Sequence, residues 1–338
     1  MAKKLASWTC FLVLAAVTTF APLFSPNHAV AEEKWASPHF QTHPLAGTIW
    51  NSEFQEVTLA QLETTLADAR FVLLGEIHDN PDHHRIQAQL IDTLVKHGRH
   101  PAVVFEMIPE NLQPELDRHA GGGVGEAAAL GKVLQWEERG WPAWTIYQPI
   151  AETALAAGLP WVAGGLDADV QKAVAKAAPS PLYEKAVQEL GLAEPLSPEI
   201  VEAESQEIKE GHCNLLPVAA LAPTLRAQRA LDASLAKAMA SANASGGAVL
   251  IAGADHVRND WAVSHMIRQK SPGAVVVSVA FIEVDPERTK PSAYMRKAPG
   301  LEQPFDFIYL TPSMDVTDHC AELEKKLKAK QAKTGERR

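Results

Sequence analysis

The sequence predicts an α/β fold, a mainly parallel sheet flanked by helices with a helical insertion or lobe. Three observations predict it. Short apolar runs recur at residues 71–74, 102–105, 159–163, 248–252 and 274–284, and the first four end in a glycine or a polar loop. Stretches of helical spacing separate the runs, and strands alternating with helices indicate a parallel sheet covered on both faces. Between residues 167 and 244 the chain is rich in alanine and leucine with helical spacing and shows no strand, hence the lobe.

The elements follow in order. Residues 1–31 have the pattern of an export leader: Lys3 and Lys4, an apolar stretch over 5–24, and Ala29-Val30-Ala31 as a small-x-small cleavage site. The expected location is therefore the periplasm, with no membrane span left after cleavage. Ser7-Trp8-Thr9 before Cys10 does not match a lipoprotein signal, so no lipid anchor is expected. Residues 32–46, polar and proline-containing, read as a linker or arm, and residues 47–322 as one domain. A helix is expected over 59–66. Asn80 followed by Pro81 supplies a cap and a residue suited to a first turn, and opens a helix that Gly98 ends. A further helix is expected over 151–157. The basic tail, residues 323–338, reads as a frayed helix running into disorder.

Composition narrows the function. Removing Lys3 and Lys4 from 31 basic residues leaves 29 against 41 acidic ones, a net charge of −12. Phosphate binding needs a concentrated basic surface, so nucleic acid is not an expected partner. Two cysteines survive cleavage, Cys213 and Cys320. In an oxidising compartment they form a disulfide; the alternative is two buried thiols. No Cys-x-x-Cys-His occurs, so covalent c-type haem attachment is excluded.

Chemistry collects where the strands end. Glu76 to His84, Glu106, Gly164-Gly165 and Asp255-His256 each follow an apolar run, and a parallel sheet would bring these loops to one rim. Imidazoles and carboxylates converging there suit a transition metal, or a general base oriented by a carboxylate. Gly75 and Gly253 are expected to let the backbone turn sharply as it leaves the sheet. Glu106 ends a buried strand and needs a partner, which would be His78, His256, Arg258 or a metal. Asp255 and Arg258 could pair with each other and pin their loop. Of His83 and His84, at least one is expected to be a solvated surface histidine.

Four stretches together resemble the ChaN-type family of bacterial haem-binding uptake proteins. They are residues 71–84 (Phe-Val-Leu-Leu-Gly-Glu-Ile-His-Asp-Asn-Pro-Asp-His-His), residues 102–107, residues 136–150, and Gly253-Ala-Asp-His-Val-Arg258. This family shares a superfamily with the erythromycin esterases and the Tiki/TraB metalloproteases. The resemblance implies an exported α/β protein that binds haem non-covalently, with a homodimer as a possible assembly. Carried over residue by residue, Glu76, His78, Glu106 and His256 match the positions where the superfamily's hydrolases keep a base or metal ligands.

Haem requires an axial ligand, an apolar slot and cations for its propionates. Trp136, Trp141, Trp144 and Tyr147 form one aromatic-rich turn. Tyr147 as phenolate is the first candidate ligand and His212 the second; His78, Lys132 and Arg258 are candidate propionate partners. The bland alternative for the turn is a tryptophan cluster packing a helix corner. The first expectation is thus a haem-binding protein of haem or iron acquisition, without enzymatic activity. The alternative is a hydrolase of peptide or ester bonds that uses a divalent transition metal held by His78, Glu106 and His256, with Glu76 beside them.

Overall fold

Residues 34–119, 121–242 and 244–335 are described by the computed structural model, and the expected leader lies outside them. The sheet begins with a small hairpin, β1 (Ile49–Asn51) and β2 (Glu56–Val57). Then α1 (Leu59–Asp68) leads to β3 (Phe71–Glu76), and α2 (Pro81–Lys96) leads to β4 (Ala102–Pro109). Asn80 caps α2 as expected, accepting from the Asp82 and His83 backbone N–H groups. Three helices follow, α3 (Gln113–His119), α4 (Ala127–Val133) and α5 (Trp144–Ala156), before β5 (Trp161–Gly165). The stretch expected as a lobe holds α6 (Ala168–Lys176), α7 (Pro181–Leu190), α8 (Pro198–Gly211) and α9 (Val218–Ser241). The chain closes with β6 (Ala248–Gly253), α10 (Val263–Lys270), β7 (Val276–Glu283), β8 (Phe307–Thr311) and α11 (His319–Gly335).

The strands lie in the order β2-β1-β8-β7-β3-β6-β4-β5. Strands β3 to β8 run parallel, and only the hairpin strands are antiparallel to their neighbours. Successive side chains of a strand point to opposite faces, and here both faces are buried. Val72 and Leu74 join Val103, Phe105, Val249 and Ile251 under α1, α2 and α5. Phe71 and Leu73 join Val104 and Leu250 under α9 and α10. Burying each such Val or Leu side chain contributes roughly 1.5 to 3 kcal/mol. This two-sided burial is why the central strands read as unbroken apolar runs.

Three features differ from the sequence reading. The strands β1, β2 and β8 were not expected, because they are two to five residues long and carry little alternation. Residues 35–46 lie against the domain: the Ala36 and Ser37 N–H groups donate to Asp82, and His39 bridges to Ser313. The basic tail, expected to be a frayed helix running into disorder, belongs to a helix from His319 to Gly335. Two i,i+4 ion pairs favour that helix, Glu322 with Lys326 and Glu324 with Lys328. A disulfide between Cys213 and Cys320 ties its first turn to the end of α8. Among the described residues no helix is long and apolar enough to cross a membrane.

Candidate functional site

Strand β6 lies between β3 and β4, so the three carboxyl ends meet side by side. Glu76 is level with Gly253, whose N–H donates to Glu106 Oε2 at 2.7 Å. The expected role of Gly75 needs correction. It is an ordinary strand residue, but a Cβ there would lie 2.4 Å from Val257 Cγ2 and 2.8 Å from Ala254 Cα. Only a glycine admits the 3₁₀ turn Ala254–Val257 that close to β3, and this turn carries His256. Gly253 likewise serves by close approach, since a Cβ would sit 3.3 Å from His78 Nε2.

One cluster is built on Glu76, which is 2 % exposed. Its Oε1 accepts from the Tyr147 hydroxyl at 2.5 Å and from His78 Nδ1 at 3.0 Å. Its Oε2 lies 3.1 Å from His84 Nδ1 as an ion pair. That nitrogen has Gln87 Oε1 as its hydrogen-bond acceptor, so Oε2 is compensated by charge without a hydrogen bond. The Gln87 amide orientation is set by its N–H donating to the Leu74 carbonyl. His84 Nε2 faces the His78 carbonyl at 3.0 Å. Both ring nitrogens of His84 therefore face acceptors, which only the imidazolium can satisfy. Burial opposes that charge, but Glu76 outweighs it and raises the His84 pKa. Burial likewise opposes the Glu76 charge, and His84 and His78 hold the carboxylate well below its usual range.

A second cluster lies across the rim. His256 sits between two carboxylates, with Nδ1 2.7 Å from Asp232 Oδ1 and Nε2 3.5 Å from Glu106 Oε1. Burial would lower its pKa; Glu106 and Asp232 outweigh it and push it up to about 10. Asp232 comes from α9, and Glu204, on α8, is also buried. Burial and the Asp232 charge push Glu204 up to about 8. The sequence reading missed both acids. A signal for Glu204 exists: it stands between Ile200 and Ile208 at i+4 spacing, on the buried stripe of its helix.

The model of one protein family, described as "Haem-binding uptake, Tiki superfamily, ChaN", matches residues 62–267. The chain belongs to this ChaN family. The match contains both clusters of the rim. A solved structure, "Cofacial heme binding to ChaN of Campylobacter jejuni", aligns with a TM-score of 0.59 at 17 % identity, covering 77 % of this chain and 95 % of that one. An erythromycin esterase in its open conformation aligns with a TM-score of 0.43 at 14 % identity, over 81 % of this chain and 99 % of that one. The type III effector HopBA1 aligns with a TM-score of 0.40 at 12 % identity, over 75 % and 92 %. No curated protein matches. The ChaN-like fold and membership of the haem-binding uptake family are thus established for this chain.

For a ChaN-family protein, the test is which of these residues fit a haem. His78 fits an axial ligand: Nδ1 is held by Glu76, Nε2 has no hydrogen-bond partner among the described residues, and the side chain is 34 % exposed. Half-buried Trp141 stands edge-on to it at 5.0 Å. Tyr147 does not present a phenolate. It is fully buried, and burial together with Glu76 pushes its pKa far above the usual phenol range. Trp136 and Trp144 are core residues donating to the Pro142 and Ala127 carbonyls, so the aromatic turn mainly packs a helix corner.

The other expected positions lie apart from His78. The His212 ring bonds the Ile208 carbonyl, and His212 lines a chamber with His256. Arg258 is held bidentately by Asp260, on the wall of a separate cleft of about 730 Å³. Its expected pairing with Asp255 is replaced by this one, which brings two carboxylate oxygens onto a stacked guanidinium 3.8 Å above Trp261. Lys132 is exposed on α4, and among the described residues no hydrogen bond or ion pair ties it to either cluster. The expected metal set of His78, Glu106 and His256 does not assemble: among the described residues no three His, Cys, Asp or Glu side chains converge to hold a metal ion. Neither His83 nor His84 is a surface histidine, since both are fully buried.

Proposed function

We propose that this chain is an exported protein of haem and iron acquisition, and that it holds haem non-covalently with His78 as axial ligand. Family membership supports the cofactor, and the lack of a Cys-x-x-Cys-His motif supports the non-covalent mode. The observation that carries the ligand is the pairing of His78 Nδ1 with Glu76, with Nε2 left open beside Trp141. A carboxylate on the far nitrogen orients an imidazole and makes it a better donor to iron. Bound haem supplies an iron centre with an axial position to be filled. The Campylobacter jejuni protein is described as binding haem cofacially, and the homodimer expected from the family is the matching proposal for this chain.

The test is a hemin titration of the purified protein. A saturable Soret shift that is lost in His78→Ala and kept in Tyr147→Phe supports the assignment. Loss in Tyr147→Phe with retention in His78→Ala returns the ligand to the tyrosine. Light scattering during the titration reports whether dimers form with haem.

One observation favours a second reading. His256 between Asp232 and Glu106 has the make-up of a charged acid able to protonate a leaving group in ester or peptide hydrolysis. Turnover of an activated ester that disappears in His256→Ala would support the hydrolase, and metal analysis of chelator-free protein would test its metal-dependent form.

A further inference from the structure

Beside His256, the helices α8 and α9 and the 3₁₀ turn line a chamber of about 190 Å³. Glu204, Asp232, Asp255, His256, His212 and Gln228 are among its walls. It adjoins the larger cleft beside α8, sharing Glu207 and Trp261 with it. We infer that this chamber is a binding site for a small organic cation with an ammonium or guanidinium head, seated against Glu204. The inference is independent of haem.

Glu204 is the observation that points to a ligand. It is 5 % exposed and lines the chamber, and no other described residue makes a hydrogen bond or ion pair with it. Buried polar groups are nearly always partnered, by protein or by what fills the space they face. The neighbouring cations direct their hydrogen bonds away from Glu204. His256 lies between Asp232 and Glu106, Arg258 is chelated by Asp260, and Arg229 donates to the Leu192 and Glu194 carbonyls. They act on Glu204 through their charge alone, and among the described residues none donates a hydrogen bond to it.

Size and geometry select the class. One water takes about 30 Å³, so the chamber has room for roughly six, enough for a short alkylammonium or alkylguanidinium. The acids are spread around the walls and do not converge as a metal cluster. A cation with several N–H donors can reach several such oxygens at once.

Binding should move a proton. The groups facing Glu204 are Asp232 and Arg229 from α9, and His256 and Arg258 from the segment after β6. Burial and Asp232 push its carboxyl up to about 8, so at pH 7 the empty chamber holds the neutral acid. A seated cation favours the carboxylate, and the displaced proton passes to the buffer.

Calorimetric titration of the full chain with ethylguanidinium chloride, at constant ionic strength in two buffers of different ionisation heat, tests the site. The expected result is saturable binding with release approaching one proton per cation at pH 7 and falling towards none above pH 9. Glu204→Gln should weaken binding by about tenfold or more, and Glu202→Gln, on the exposed side of α8, should not change it. Absence of saturable binding, absence of proton release, or equal affinity in Glu204→Gln overturns the inference. So does equal proton release with sodium chloride alone. If Glu204→Gln fails to fold, the wild-type proton count decides by itself.

Discussion

His83 and His84 are consecutive and both fully buried, yet the hydrogen-bond partners make one ring neutral and the other charged. His83 Nδ1 accepts from the Ile77 N–H at 2.9 Å and its Nε2 faces Thr311 Oγ1 at 2.8 Å, so the ring is neutral. His84 faces acceptors on both sides and is charged. Burial, reinforced by the neighbouring His84 charge, pushes the His83 pKa down to about 3.

Acid stability should report His83. Its folded pKa is depressed, so its contribution is present above the unfolded value of 6.5 and is lost as pH falls towards 3. A shift of that size corresponds to roughly 4 to 5 kcal/mol when fully developed. Urea midpoints should therefore fall steadily between pH 6.5 and 4. His83→Gln, which keeps an acceptor for Ile77 and a donor for Thr311, should start less stable at pH 7 and show a flatter profile.

Breaking the buried pair on one side should be worse than removing it. Glu76→Gln leaves the His84 imidazolium buried beside a neutral amide, with an expected loss of about 3 to 5 kcal/mol. Adding His84→Gln should recover part of that loss. Urea denaturation of the two single variants and the double variant measures the coupling, and strict additivity would contradict the ion pair.

Haem affinity should rise with pH. Burial lowers the His78 pKa, but the Glu76 hydrogen bond and charge outweigh it and raise it. An imidazolium has no lone pair for iron, so ligation displaces a proton. Below the His78 pKa the apparent hemin affinity should change by up to about tenfold per pH unit. A flat profile between pH 6 and 9 would argue against His78 as the ligand.

Gly75→Ala should act at a distance. The added methyl would meet Val257 and the Ala254 backbone, and relieving it must push the turn after β6 away from β3. A loss of about 3 kcal/mol is expected, with His256 displaced from Glu106. Thermal unfolding measures the loss, and the His256 titration followed by NMR measures the displacement.

The strand-end loops were legible because apolar runs ending in glycine and carboxylate mark parallel strands, and parallel strands deliver their loops to one rim. Glu76, His78, Glu106 and His256 were read this way, and the cysteine pair was read from the export leader and the cysteine count. Asp232 and Glu204 were not, because helical periodicity shows which face of α8 or α9 is buried but not which loop that face meets. The surroundings of Tyr147 were out of reach for a related reason. Its hydroxyl donates a hydrogen bond to the carboxylate of Glu76, a residue 71 positions away.

By itself, then, the sequence determined the parallel α/β architecture, the family and the position of the rim, since these depend on local periodicity and short motifs. Only the tertiary structure decided how the groups on that rim are charged. Ile77, Thr311, Gln87 and the two carboxylates around His256 set those protonation states, and they meet the histidines through packing rather than sequence pattern.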